Sequence, residues 1–393
     1  MKKNLLCLFA FAVLTSCGSS DSEYQEVSAA YPNVTATFGN AINLNNLANY
    51  ANQAIPNYIT KSNLNGNPIT DKGATLGRVL FYDKKLSSNN TISCASCHQQ
   101  ANAFGDAAVA SQGVNGTTGR HSMRLINTRF ANETRFFWDE RAINLETQTT
   151  MPIKDHGEMG FSGTNGDQPF SGLITKLSAI GYYKELFKFV YGTEEVTESK
   201  IQLALAQFIR SIQSFDSKYD AGRAQVANEG QPFPNFTAQE NNGKNLFLTP
   251  PVFDATGNRT SGGLGCAGCH AAPEFDINPV SRNNGIIGSI AGGLDITNTR
   301  APSLRDLVKL DGSTNGPMMH TGVITTLQAA IGHYGTINLA PGNTNLDPRL
   351  RPNGFGQQLH LTAPEVNSVI AFLRTLSGSN VYVDSKWASP FPN

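Results

Sequence analysis

Two pentapeptides constrain this chain more than any other feature: Cys94-Ala-Ser-Cys97-His98 and Cys266-Ala-Gly-Cys269-His270. If each opens a helix, positions i, i+3 and i+4 share one face. Two thiols so spaced reach the two vinyl groups of one porphyrin as thioethers, and the adjoining imidazole meets the iron. Cys-x-x-Cys-His therefore reads as a c-type haem attachment site. A four-thiolate zinc site would need both cysteine pairs to converge, and it leaves His98 and His270 without a role. A thioredoxin-like redox pair needs a strand–helix–strand setting, which the flanking sequence does not suggest. The expectation is two covalent haems, with His98 and His270 as proximal iron ligands.

The remaining cysteines, Cys7 and Cys17, lie at the N-terminus. There, Lys2 and Lys3 precede an apolar run from Leu5 to Leu14, too short to span a bilayer and laid out like an export signal. Leu14-Thr15-Ser16-Cys17 resembles the bacterial lipobox, in which the chain is cut before the cysteine and the cysteine is lipidated. Residues 1–17 are thus expected to be a lipoprotein-type signal peptide, and 18–64 a tether and N-terminal extension. The protein is expected in the periplasm or cell envelope, held to a membrane through a lipid anchor at Cys17.

At 393 residues the chain exceeds one ordinary domain. Lys+Arg and Asp+Glu balance at 30 each, so no basic excess points to nucleic acid. The surroundings of the two motifs repeat. A glycine and a Leu-Phe pair precede each, in "LGRVLFYD" (76–83) and "NGKNLFLT" (242–249). After each, residues 137–152 lie on 319–334 without a gap, which superposes Leu145 on Leu327. Residues 197–220 carry Ile201, Leu205, Phe208, Ile209 and Ile212 at helical spacing. Residues 361–378 open on Thr362 with Glu365 three on, a capping-box pattern, and stop at Gly378. No alternating strand or hairpin series stands out. The expected fold is mainly α, with two cytochrome c-like haem domains in tandem, 65–222 and 223–393.

The stretches "LGRVLFYDKKLSSNNTISCASCH", "FFWDERAINLETQTTMPI", "GEMGFSG", "APSLRDL" and "MMHTGVITTLQ" resemble the bacterial di-haem cytochrome c peroxidases and the related MauG proteins, from about residue 70 to 376. The resemblance implies an N-terminal peroxidatic haem and a C-terminal electron-transfer haem. It matches Trp138 to a tryptophan between the haems, and Gln148 and Glu158 to the distal pair on the peroxide side. Moving a proton between the two oxygens of peroxide needs a carboxylate within reach, and an amide to hold the molecule. His156 is a rival base. The sixth ligand of the C-terminal haem is a methionine in the peroxidases and a tyrosine in MauG. An ungapped match to the family from His320 puts Tyr334 there, with His333 second, while Met318 and Met319 match non-ligand positions. The counterpart of Tyr334 is Pro152, which has no donor atom for iron.

Classical members carry a gating histidine where this chain has Val114, so no reductive activation is expected, with His121 the one other histidine in that loop. His121, Asn315 and Pro317 match the positions of an interdomain calcium, and an imidazole is a poor ligand for calcium. The implied activity is reduction of hydrogen peroxide with electrons from a small c-type cytochrome or cupredoxin. A second reading is a MauG-like enzyme in which peroxide-derived high-valent haem oxidises aromatic residues of a partner protein. A third is a non-enzymatic di-haem electron carrier.

Overall fold

The structure, a computed structural model, describes residues 30–64, 66–276 and 280–392. The signal peptide, Cys7, Cys17 and most of the tether lie outside the described residues. Helices dominate: α1 (Pro32–Phe38), α2 (Asp71–Tyr82), α3 (Cys94–Cys97), α4 (Leu145–Thr150), α5 (Phe170–Ser178), α6 (Gly181–Tyr191), α7 (Glu198–Ser211), α8 (Lys218–Arg223), α9 (Ala238–Leu248), α10 (Leu327–Gly335), α11 (Ala363–Arg374) and α12 (Asn380–Val383). Among the described residues, none of these is long and apolar enough to cross a membrane.

Two hydrophobic cores form, and each rests on one crossing pair of helices. In the first, α2 crosses α7 at Gly77, where a Cβ would strike the Ala204 carbonyl and sit 2.7 Å from Phe208 Cβ. In the second, α9 crosses α11 at Gly243, where a Cβ would strike the Ser368 carbonyl and sit 3.0 Å from Phe372 Cβ. These are the glycines of the repeated sequence, and the phenylalanines that follow them, Phe81 and Phe247, are buried in their cores. The glycine is there because backbone meets backbone, and only a residue without Cβ lets the helices close.

The second part of the repeat holds with equal register. Bridges Phe136↔Ala142 and Met318↔Ile324 close equivalent turns. Asn144 and Thr326 then cap α4 and α10, accepting from Thr147 N–H and Ala329 N–H. Each pair is offset by 182 positions (136 to 318, 142 to 324, 144 to 326), the offset that carries Pro152 to Tyr334. Even the strained positions match: Phe137 and Met319 have φ of 71° and 68°, and Glu140 and Gly322 have φ of 59° and 64°.

Elsewhere the structure corrects the sequence. The helix expected over 197–220 stops at Ser211 and restarts at Lys218. Asn127 causes the break: its N–H takes the Ile212 carbonyl at 3.0 Å, and its Oδ1 takes Ser214 N–H at 2.8 Å. Ser217 and Asp220 then form a new capping box. Thr362 and Glu365 do form theirs, but α11 ends at Arg374 rather than at Gly378. An antiparallel ribbon, β1 (Pro251–Phe253) with β2 (Arg259–Gly262), had no alternating pattern because both strands are short and largely exposed. Packing also departs from the expected segments. Val34, Phe38, Ile42 and Tyr50 of the N-terminal extension, and Val381 and Trp387 of the last segment, all belong to the first core. The last segment is strapped there by Tyr82 Oη to Trp387 O at 2.6 Å and Arg78 Nε to Ala388 O at 2.7 Å.

Candidate functional site: two haem cavities and the partition between them

Each Cys-x-x-Cys-His opens a short helical turn that follows the crossing helix. Ser93 caps α3, and His98 N–H donates to Cys94 O at 2.9 Å. In the second motif the turn is 3₁₀ (Cys266–Gly268), and His270 N–H donates to Cys266 O at 2.9 Å. The turns put both thiols and the imidazole of each motif on one wall of a cavity. Cys266, Cys269 and His270 line a space of about 1290 Å³ together with Trp138, Asn284, Met319 and Tyr334. On the other side, Cys94, Cys97, His98, Gln148, Pro152 and Glu158 line a space of about 650 Å³. It adjoins a larger one of about 1860 Å³ that shares His98, Gln148, Pro152 and Glu158 and extends to Trp138.

The donor chemistry fits haem and disfavours the rivals. All four thiols are free, and burial pushes Cys94 and Cys266 up to about 12 and Cys97 and Cys269 up to about 11. A zinc thiolate or a redox pair needs the opposite shift. The two pairs sit in different cavities, so no four-thiolate cluster forms among the described residues. Burial lowers both histidines, His270 to about 4, and keeps their rings neutral as iron ligands must be. His98 Nδ1–H donates to the Phe104 carbonyl at 3.1 Å, which leaves Nε2 for metal. The buried Nδ1 of His270 has no hydrogen bond of ordinary geometry.

Around the His98 cavity, α4 supplies Gln148, and the loop after it supplies Pro152 and Glu158. Burial, with Asp155 adding repulsion, raises the Glu158 carboxyl to about 7. Its backbone is fixed by Asp155 Oδ1, which accepts Glu158 N–H at 2.9 Å, and by Val114 N–H, which donates to Glu158 O at 3.0 Å. The side chain of Val114 packs against Gly160. His156 is turned away, its Nδ1 on Asp167 Oδ2 at 2.9 Å. The His121 ring is tied to the carbonyls of Ala108 (3.0 Å) and Val109 (3.2 Å).

Trp138 lines both the His270 cavity and the larger His98-side space. Its indole N–H donates to His121 O at 2.7 Å, and its carbonyl accepts Arg300 N–H at 2.7 Å. Two residues on, Glu140 takes Ser281 Oγ–H and, at 3.0 Å, Asn298 Nδ2–H. The partition is thus clamped from both halves of the chain.

In the His270 cavity Tyr334 faces inward near Cys266 and Cys269, and burial raises its phenol well above its ordinary value. His333 points elsewhere, its Nε2–H on Asn284 O at 2.9 Å. Sequence reasoning missed Asn284, whose amide reaches Tyr334 Oη at 3.4 Å and Met319 Sδ at 3.5 Å. Met318 and Met319, which match non-ligand positions, also line the cavity. No local pattern marks Asn284; only the fold brings its loop to α10.

Residues 71–227 match the family described as di-haem cytochrome c peroxidase. The methylamine utilization protein MauG of Methylorubrum extorquens is 29% identical over 79% of this chain and 79% of its own. The cytochrome c551 peroxidase of Nitrosomonas europaea is 27% identical over 78% of this chain and 80% of its own. A solved MauG-like protein associated with microbial copper homeostasis superposes with a TM-score of 0.67 at 26% identity, covering 86% of this chain and 99% of its own. Over most of its length the chain is similar to the di-haem cytochrome c peroxidases and the MauG proteins. It is an oxidoreductase, and its cofactors are two c-type haems. The two cavities, each with a thiol pair and a neutral histidine, are where this di-haem peroxidase would hold them.

Proposed function

We propose that this enzyme reduces hydrogen peroxide at the His98 side, with Glu158, Gln148 and Trp138 as its working residues and a small c-type cytochrome or cupredoxin as electron donor. The bound haems supply the redox chemistry: an iron position for peroxide and a store of electrons. Glu158 would carry a proton from one peroxide oxygen to the other as the O–O bond breaks, and two electrons from the donor with two protons complete the reduction to two waters. A carboxyl poised at about 7 can take and give that proton, since each protonation state is accessible near neutral pH. The Gln148 amide, in the same cavity, orients the peroxide. Trp138 carries electrons across the partition that its indole spans. Tyr334 would be the side chain that, with His270, holds the second haem, and the inward phenol beside a turned-away His333 supports that choice.

One observation carries the reading: a half-buried acid and an amide share the His98 cavity with Pro152, which has nothing to coordinate iron. Rapid mixing of the ferric protein with peroxide tests it. A fast spectral change is expected, and its loss in Glu158→Gln. Tyr334 and the similarity to MauG favour a second reading, in which the oxidising equivalents are passed to aromatic side chains of a partner protein. Turnover of peroxide without donor protein, with new cross-links or hydroxylation on a partner, would select it.

We further propose export and lipid anchoring at Cys17, testable by labelling with a fatty acid analogue in the wild type and in Cys17→Ala. Calcium stands outside this proposal. The His121 ring is bound to the carbonyls of Ala108 and Val109, and an imidazole is a poor ligand for calcium.

A further inference from the structure

Six arginines line the cavities. Four pair with carboxylates: Arg120 with Asp139 (2.8 Å) and Asp295 (2.7 Å), Arg141 with Asp139 (2.8 Å), Arg300 with Asp276 (3.3 Å) and Arg349 with Asp347 (2.5 Å). Arg282 is exposed. Arg124 differs from all of these. It lines both the His270 cavity and the larger His98-side space, yet among the described residues no carboxylate stands within ion-pair distance of it.

Its surroundings hold the guanidinium in place without neutralising it. One Nη donates to the Ser303 carbonyl at 2.9 Å, and Nε is sealed from solvent with no acceptor. Gly105 makes room for the stem, since a Cβ there would come 2.8 Å from Arg124 Cγ. Asp306 acts on it electrostatically from beyond ion-pair distance, and its Oδ1 accepts the Gly378 N–H at 2.9 Å. A cation shut away from water without a partner is costly, so such a position implies an anion that completes it. The cofactor of these cavities brings two carboxylates on every porphyrin.

We propose that Arg124 is the counter-ion of a haem propionate where the two cavities meet, and that through this carboxylate it raises the reduction potential of the haem that it holds. The assignment rests on the two-haem reading. Reducing ferric to ferrous haem adds one negative charge, and a fixed cation beside the propionate favours that state. An arginine that only braced the two halves through Ser303 would affect stability and leave the potentials alone.

The test is a spectroscopic redox titration of haem-loaded wild type, Arg124→Gln and Arg124→Lys, with haem counted as the pyridine complex. Arg124→Gln is expected to keep two haems. One of its midpoint potentials should fall by at least a tenfold change in the reduction equilibrium, about 59 mV for one electron. Arg124→Lys, which keeps the charge, should retain most of the wild-type value. If Arg124→Gln does not load, Gly105→Ala replaces it, displacing the guanidinium, and should lower the same potential. Unchanged potentials in whichever of these variants loads would overturn the assignment. A wild type that takes up no haem would instead overturn the two-haem reading.

Discussion

Replacing Glu158 by glutamine separates catalysis from stability, because the two effects run in opposite directions. The carboxyl is raised from 4.5 to about 7 chiefly by burial. At 1.36 kcal/mol per pKa unit, that corresponds to roughly 3 kcal/mol against the ionised form in the folded protein. The sign follows from linkage. A group whose folded pKa is raised contributes stability that is fully present below pH 4.5 and is lost as pH rises through about 7. Glutamine has nearly the same shape and never ionises. Glu158→Gln should therefore match the wild type in denaturant unfolding at pH 4.5, gain between pH 4.5 and 7, and be more stable by up to about 3 kcal/mol at pH 8. The same variant should lose about 10²–10⁴-fold in its reaction with peroxide, the usual scale of general acid–base catalysis. Rapid mixing with peroxide and denaturant titration across pH measure the two. A variant within a few-fold of wild-type rate, or a stability difference independent of pH, would refute the placement of this acid.

Tyr334→Phe should abolish phenolate-to-iron absorption in the ferric protein and leave the His98 haem spectrum unchanged, whereas His333→Ala should alter neither; the reverse pattern would move the sixth ligand. Trp138→Phe should keep both haem spectra while slowing electron exchange between the haems in a half-reduced sample, and an unchanged rate would remove the indole from the path. Gly243→Ala should cost about 1–3 kcal/mol in denaturant unfolding, because the new methyl meets the Ser368 carbonyl. A cost under about 0.5 kcal/mol would mean that α9 and α11 are not held as close as described.

What could be read from sequence was what depends on local covalent chemistry or on a repeated local shape. The Cys-x-x-Cys-His turns are such units, and so is the capped helix that repeats 182 positions on, from Asn144 to Thr326. That register is why Pro152 could be read as the donor-free counterpart of Tyr334, which the family resemblance had already marked. What depends on distant chain was hidden. The break after Ser211 is made by Asn127, and the burial of Trp387 in the first core is made by α2 and Ser211. That Arg124 has no ion pair shows only in the fold, where Arg120, Arg141, Arg300 and Arg349 each meet a carboxylate. Its motif neighbours say nothing about charge balance in three dimensions. Gly77 and Gly243 lie between these cases: the repeat marks them, but the helix crossing they permit appears only in the fold.

Electron spin resonance of the fully oxidised, haem-loaded protein tests the central claim most directly. The account predicts two ferric haems per chain in equal amounts. One should be high-spin, with an open or water-bound position beside Glu158, and one low-spin, ligated by His270 and a second side chain. Two low-spin signals that peroxide does not disturb would contradict it.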